Sequence, residues 1–229
     1  MVKYRNRLPQ LAGGPILTDG GLETTLVFHN GIDLPFFAAF DLLKDEAGTE
    51  TLRDYYRLHA NIALQAGTGF ILESPTWRAS PDWGTKLGYS PNALDAANRV
   101  AIRLMHELRD ELESERSPMV ISGCIGPRGD GYDPGRVMNA EEAADYHAPQ
   151  IRIYAEESAD LITAITMTNI PEATGVARAA AAAGMPVAIS FTVETDGRLP
   201  TGDSLKDAIA AVDAATDNAP IYYMINCAH

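Results

Sequence analysis

The chain has 229 residues, 46% of them hydrophobic, and carries a net charge of −13. That acidic balance argues against nucleic acid and anionic membrane surfaces as partners, and no apolar run approaches the roughly 18 residues needed to span a bilayer. The N-terminal MVKYRNRLPQ has no apolar stretch behind its charges, unlike a secretory signal, and two cysteines make no disulfide framework, so a cytoplasmic protein with reduced thiols is expected.

Along the chain a short apolar run is followed, again and again, by a helical pattern. PILTDGG (15–21) is the first predicted strand. A helix is expected over 49–66, with Tyr55, Leu58 and Ile62 as its apolar stripe. GFILESP (69–75) is the second strand, and SPDWGTKLGYS reads as a loop carrying Trp83. The stretch 91–114 spaces Leu94, Ala97, Ala101, Leu104, Leu108 and Leu112 three or four apart, as a helix does. MVISGCIGP (119–127), DLITAITMT (160–168), PVAISFTVE (186–194) and IYYMINCAH (221–229) complete six strands, and helices are expected over 140–158, 171–183 and 203–215. Gly67, Gly69 and Gly184 sit where helices end and strands begin. Pro171 with Glu172, and Asp203 with Ser204, sit where helices start.

Near-continuous apolar strands alternating with helices imply a parallel sheet covered on both faces. Two architectures fit: an open doubly wound sheet or a (β/α)8 barrel. Polar residues collect at the strands' C-terminal tips: Asp19 and Glu23, Glu73 and Thr76, Cys124, Thr166 and Thr168, Thr192 and Glu194, Asn226 and Cys227. Such a gathering favours the barrel, whose active sites lie on that face. TDGGLETT is a poor match to a dinucleotide fingerprint. A barrel needs eight strands and six are visible, so the last one would leave an unpaired edge.

ILTDGGLETTL, ILESPTW, SGCIGPRGD, ADLITAITMTNIPEA, VAISFTV and MINCAH occur in this order. Together they resemble strands one to six of the homocysteine S-methyltransferases, over almost the whole chain. The resemblance implies a zinc-dependent (β/α)8 barrel that moves a methyl group to the sulfur of homocysteine, giving methionine. It also implies three zinc-binding cysteines. One lies in an Asn-Cys pair ending the sixth strand, here Asn226 and Cys227. The other two form a Cys-Cys pair that this sequence lacks, so the chain is expected to be the first three-quarters of a longer protein.

By the same resemblance Asp19 and Gly20 hold the amino-acid part of homocysteine. Glu23, Glu73, Thr166 and Asn226 join them as candidate substrate contacts, and Cys227 is the metal ligand. Each has a plainer reading. Asp19 and Glu23 could cap the next helix, Asn226 could fix a turn, and Cys227 could be an inert thiol. His229 could coordinate metal or be a mobile terminus. Trp77 could wall the pocket or pack in the core. Cys124 stands where the family has Ser and reads best as a small buried hydrophobe. One departure is evident: the family's fourth-strand Glu falls on Ile165, which leaves Glu73, Glu172 or Glu194 to partner the substrate amine. The helical His59 and His106 read as boundary residues.

The chemistry accounts for the residue types. A free thiol has a pKa near about 8.5, and the thiolate is the nucleophile. Zinc with three protein ligands and one open position can bind that sulfur as thiolate, and a sulfur-rich site selects a soft metal. The rival barrel enzymes, aldolases or lyases, need a Schiff-base lysine at a strand tip, and none of the six tips carries one. A non-catalytic amino-acid-binding barrel is the rival of another class. S-Methylmethionine, S-adenosylmethionine, betaine and methylated corrinoid or folate are the candidate donors. The lack of a cobalamin or folate module favours a small sulfonium or ammonium.

Overall fold

A computed structural model describes residues 2–227; His229, weighed above as a metal ligand, lies outside them. Six strands form one parallel sheet in sequential order: β1 (Ile16–Thr18), β2 (Gly69–Glu73), β3 (Met119–Ile125), β4 (Leu161–Met167), β5 (Val187–Phe191) and β6 (Pro220–Ile225). After β1 come a helical turn, α1 (Leu22–Thr24), and the long α2 (Glu46–Ala66). The remaining helices are α3 (Pro81–Lys86), α4 (Pro91–Leu112), α5 (Ala140–Glu156), α6 (Ile170–Ala182) and α7 (Leu205–Thr216). No helix among the described residues is long and apolar enough to cross a membrane.

Side chains alternate across each strand. Phe70 and Leu72 of β2, Met119, Ile121 and Ile125 of β3, and Ile162 and Ala164 of β4 enter the large core shared with the helices. The intervening Ile71, Val120 and Leu161 form a second core with Ile16 of β1 and Ile221 and Tyr222 of β6. The first and last strands touch the same cluster, so the sheet is curled. Tyr4 and Leu8 of the N-terminal segment plug its lower end. That segment is pinned where Asp160 accepts backbone N–H groups of Lys3 and Tyr4 at 3.1 and 2.8 Å. The same carboxylate pairs with Arg109 at 2.7 Å and is fully buried.

Local signals set the helix ends. Asp45, Ser90, Asn139, Asn169 and Ser204 each accept a first-turn N–H, and Gly67 ends α2 with φ +64°. Gly123 lets α5 approach β3, because a Cβ there would lie 2.3 Å from the Tyr154 ring.

Two expectations are corrected. Leu58 and Ile62 are 62% and 53% exposed. The buried face of α2 runs through Leu52, Tyr55, Tyr56, Ala60 and Ala63, a stripe rotated away from Leu58 and Ile62 that turns two tyrosine hydroxyls toward the sheet. The stretch holding Trp83 is helical, as α3, and its indole is buried.

Candidate active site at the mouth of the barrel

The end of β1 delivers Asp19, and the chain turns through Gly20 and the left-handed Gly21 (φ +64°) into α1. Tyr55 of α2 donates its hydroxyl to Asp19 Oδ2 at 2.9 Å, with the Gly20 carbonyl 3.2 Å away. The helix-capping alternative fails for Asp19, since no side chain caps α1. Burial raises the Asp19 carboxyl above its ordinary range, and the Tyr55 hydrogen bond only partly opposes this. Burial pushes Glu23 up to about 7; the Asp19 charge adds to this, and Arg78 opposes it.

Glu73 is the last residue of β2 and turns into the barrel, while its own carbonyl accepts the Tyr56 hydroxyl at 2.6 Å. Burial pushes its carboxyl up to about 8, against hydrogen bonding to Ser122 and Thr163 and with help from the Asp19 charge. Its Oε2 is buried without a hydrogen-bond partner. The Cys124 thiol is raised by burial and then by the charges of Glu73, Glu23 and Asp19. It is a neutral, buried group whose backbone N–H bonds Ser74 Oγ at 3.0 Å.

Across the mouth, β4 bulges between Ala164 and Met167, which places Thr166 at φ +65°. That is a costly conformation for a β-branched residue. Asn226 holds it there. Asn226 Oδ1 accepts the Thr166 N–H at 2.9 Å and the Ser190 hydroxyl at 2.6 Å. Its amide donates to Thr166 Oγ1 at 2.8 Å and reaches the Cys227 sulfur at 3.4 Å. Asn226 thus ties β4 and β5 to the end of β6 and fixes the next residue. Cys227 is exposed, with φ +48°, and its carbonyl accepts the Thr192 hydroxyl at 3.1 Å. The Tyr132 hydroxyl bonds the Cys227 thiol, which with burial pushes that phenol up to about 12.

Of the three acids weighed against Ile165, Glu172 is spoken for. It accepts from His147 at 3.0 Å, the Arg128 N–H at 2.7 Å and Asn169 at 3.2 Å. Burial works to raise its pKa, but these partners hold it below the usual range. Glu194 is exposed beyond β5. Glu73 alone combines an interior position with an unpartnered oxygen. Trp77 crosses the mouth and donates Nε1 to the Ile165 carbonyl at 3.2 Å. Sequence reasoning passed over Tyr55 as the Asp19 partner, Tyr132, and Arg78. The Trp-Arg-x-x-x-x-Trp spacing of TWRASPDW was the available signal for the last.

A thiolate zinc centre takes three protein ligands. Among the described residues no group of three His, Cys, Asp or Glu side chains could hold a metal ion. Cys227 offers one thiolate, so the described residues do not by themselves compose such a centre.

A family model described as homocysteine S-methyltransferase matches residues 16–229. The chain belongs to the homocysteine S-methyltransferase family. It is 27% identical over 225 residues to a selenocysteine Se-methyltransferase of Brassica oleracea var. italica, covering 88% of this chain and 62% of that protein. Homocysteine S-methyltransferase 4 of Zea mays is 26% identical over 221 residues, at 89% and 63% coverage. The chain therefore spans under two thirds of the length of these family members. In fold it is similar to the homocysteine methyltransferase MmuM from Escherichia coli. The metallated form superposes with a TM-score of 0.75 at 22% identity, covering 95% of this chain and 76% of that one; for the apo form the TM-score is 0.68. The six β/α units are an incomplete (β/α)8 barrel of this family's type.

Proposed function

We propose that the mouth binds homocysteine and a small methyl donor and transfers the methyl group to the homocysteine sulfur, giving methionine. The sulfur lone pair forms the new C–S bond. The donor's bond to that methyl breaks, and its electrons remain on the donor heteroatom. The observation that carries this reading is the buried, unpartnered Oε2 of Glu73 beside the interior acids Asp19 and Glu23. Three carboxyl groups held above their ordinary pKa by burial form a receptor for a cation, and an ammonium within hydrogen-bonding reach returns Glu73 to its ionised form. Asp19, oriented by Tyr55, and the Gly20 backbone complete the amino-acid cradle. Thr166 and Asn226 bond each other, which supports a role in setting the substrate-facing backbone and in aiming Cys227.

Zinc enters this reading through Cys227, which would be one of its thiolate ligands; a zinc ion supplies a bound sulfur in its thiolate form. The work assigned to the described residues is to bind and orient the amino acid, with Asp19, Glu23 and Glu73 as the acids that receive its ammonium. Incubation of the intact protein with homocysteine and, separately, S-methylmethionine, S-adenosylmethionine or betaine tests the reading. Methionine measured by mass spectrometry is expected with one of them and is lost in Cys227→Ser. Its absence with every donor overturns the assignment.

A further inference from the structure

Arg78 follows Trp77 in the connection from β2 to α3 and is 5% exposed. Its guanidinium carbon lies 3.9 Å from the ring centroid of Trp77 and 3.9 Å from that of Trp83. Two indoles thus fix the plane of the fork. Nη1 donates to the Gly129 carbonyl at 2.9 Å. The opposite edge, made by Nε and Nη2, can take a carboxylate through two parallel hydrogen bonds. Here Nη2 makes one long bond, 3.3 Å, to Oδ2 of the exposed Asp130, and Nε is buried with no partner. A buried charged donor left unpaired is costly, and this one is presented on a fork already oriented for a planar anion.

The same surroundings reach the centre described above. A Cβ on Gly131 would lie 2.8 Å from Thr166 Cγ2 and 3.2 Å from the Trp77 ring, so backbone, threonine and indole are in close contact. The next residue, Tyr132, bonds the Cys227 thiol. The four residues Gly129 to Tyr132 therefore touch Arg78, Thr166 and Cys227 in turn. Arg78 is also the buried guanidinium whose charge is felt at Glu23.

We propose that Arg78 is the carboxylate receptor of this mouth: Nε and Nη2 grip a substrate carboxylate side-on, and Asp130 is the internal anion that it displaces. This rests on reading the mouth as a methyl-transfer site for amino acids. It adds to the acidic cradle an anchor for the opposite charge, so the preferred ligands are zwitterions. Homocysteine and a carboxylate-bearing donor share that chemistry.

Calorimetric titration of the intact protein with two ligand pairs tests it. One pair is homocysteine and 3-aminopropane-1-thiol, which lacks the carboxylate. The other is S-methylmethionine and (3-aminopropyl)dimethylsulfonium, again without it. Charge-assisted bonding of this kind is worth about 10- to 100-fold in affinity. Wild type should show that preference within one pair, which names the substrate held, and Arg78→Gln should reduce it to within about twofold. Asp130→Asn, which removes the competing anion, should tighten the carboxylate-bearing ligand severalfold. A preference that survives Arg78→Gln overturns the proposal. So does its absence from both pairs in wild type, lack of binding included. A fall in affinity for all four ligands alike in Asp130→Asn would mark Arg78 as a mere loop tether and also overturns it. The two readings fail differently: turnover indifferent to the carboxylate sinks the receptor, whereas Arg78-dependent binding without turnover sinks the methyl transfer.

Discussion

Replacing Glu73 by Gln should remove a specific part of the protein's pH dependence. Glu73 has its carboxyl raised from 4.5 to about 8 by burial inside the barrel. Unfolded, it ionises near its ordinary value, so between these two values the unfolded chain holds fewer protons than the native one. Stability from this group is therefore fully present below about pH 4.5 and is lost as pH rises toward 8. Integrating the two titrations gives a loss of about 3 kcal/mol between pH 4.5 and 7, at about 1.4 kcal/mol per pKa unit. Glutamine keeps the shape and cannot ionise. Urea unfolding of wild type and Glu73→Gln across that range should give stabilities that diverge by about 3 kcal/mol as pH rises, with the variant more stable at pH 7. Homocysteine should narrow the gap by offering its ammonium to the ionised carboxylate. Parallel stability curves for the two proteins would refute the assignment of a buried, unpaired acid at this position.

Tyr55→Phe removes the hydroxyl that stabilises ionised Asp19, so homocysteine affinity at pH 7 should fall about 10- to 100-fold by calorimetry, the range for one hydrogen bond to a charged group. Asp160→Ala leaves the buried Arg109 guanidinium and the Lys3 and Tyr4 amides without their acceptor, and chemical denaturation should show a loss of about 3–5 kcal/mol. Gly123→Ala drives a methyl to 2.3 Å from the Tyr154 ring. That tyrosine's hydroxyl sits among Gln150, Asn98 and the Cys124 carbonyl and gives way poorly, so a loss of about 2–3 kcal/mol is expected in the same assay.

The strands were legible because a parallel strand buried on both faces is an unbroken apolar run, and DLITAITMT and MVISGCIGP are such runs. Their tips followed, which is why Asp19, Glu73 and Cys227 could be placed on one face of the barrel from sequence. The helix starts were legible because Asn169 and Ser204 cap through their own side chains, beside the predicted starts at Pro171 and Asp203. The face of α2 was not. Leu58 and Ile62 lie three and seven residues from Tyr55, a helical spacing, yet the buried face turns through Tyr56 and Ala60 instead. Hydrophobicity alone does not say which side of a long helix meets the sheet when two tyrosines compete with two aliphatics. The six residues of α3 are too few to show a period. Arg78, Tyr55 and Tyr132 reach the mouth from a connection, a helix and a loop, and no fixed spacing links such residues to a strand tip.

Where the fold leaves its groups unsatisfied or strained is informative in itself. Among the described residues seven non-glycine positions have positive φ. Ser158, Asp217 and Asn218 follow the C-termini of α5 and α7, where left-handed residues are ordinary. Of the other four, Phe36 and Phe37 lie in the connection after β1, Thr166 sits in the bulge near the C-terminal end of β4, and Cys227 follows β6. The unpartnered atoms of Glu73 and Arg78 belong to the mouth, and the N-terminal segment has one of its own in Gln10 Oε1, while Asp160 at the lower end is saturated by four donors. Backbone strain of this kind costs about 1–3 kcal/mol per residue and persists only where its surroundings enforce it. At Thr166 the enforcing group is Asn226, with bonds to both its amide and its hydroxyl. A barrel does not need that bulge to fold. The bulge is tied through Asn226 to Cys227, as the proposed handling of a sulfur at that residue requires.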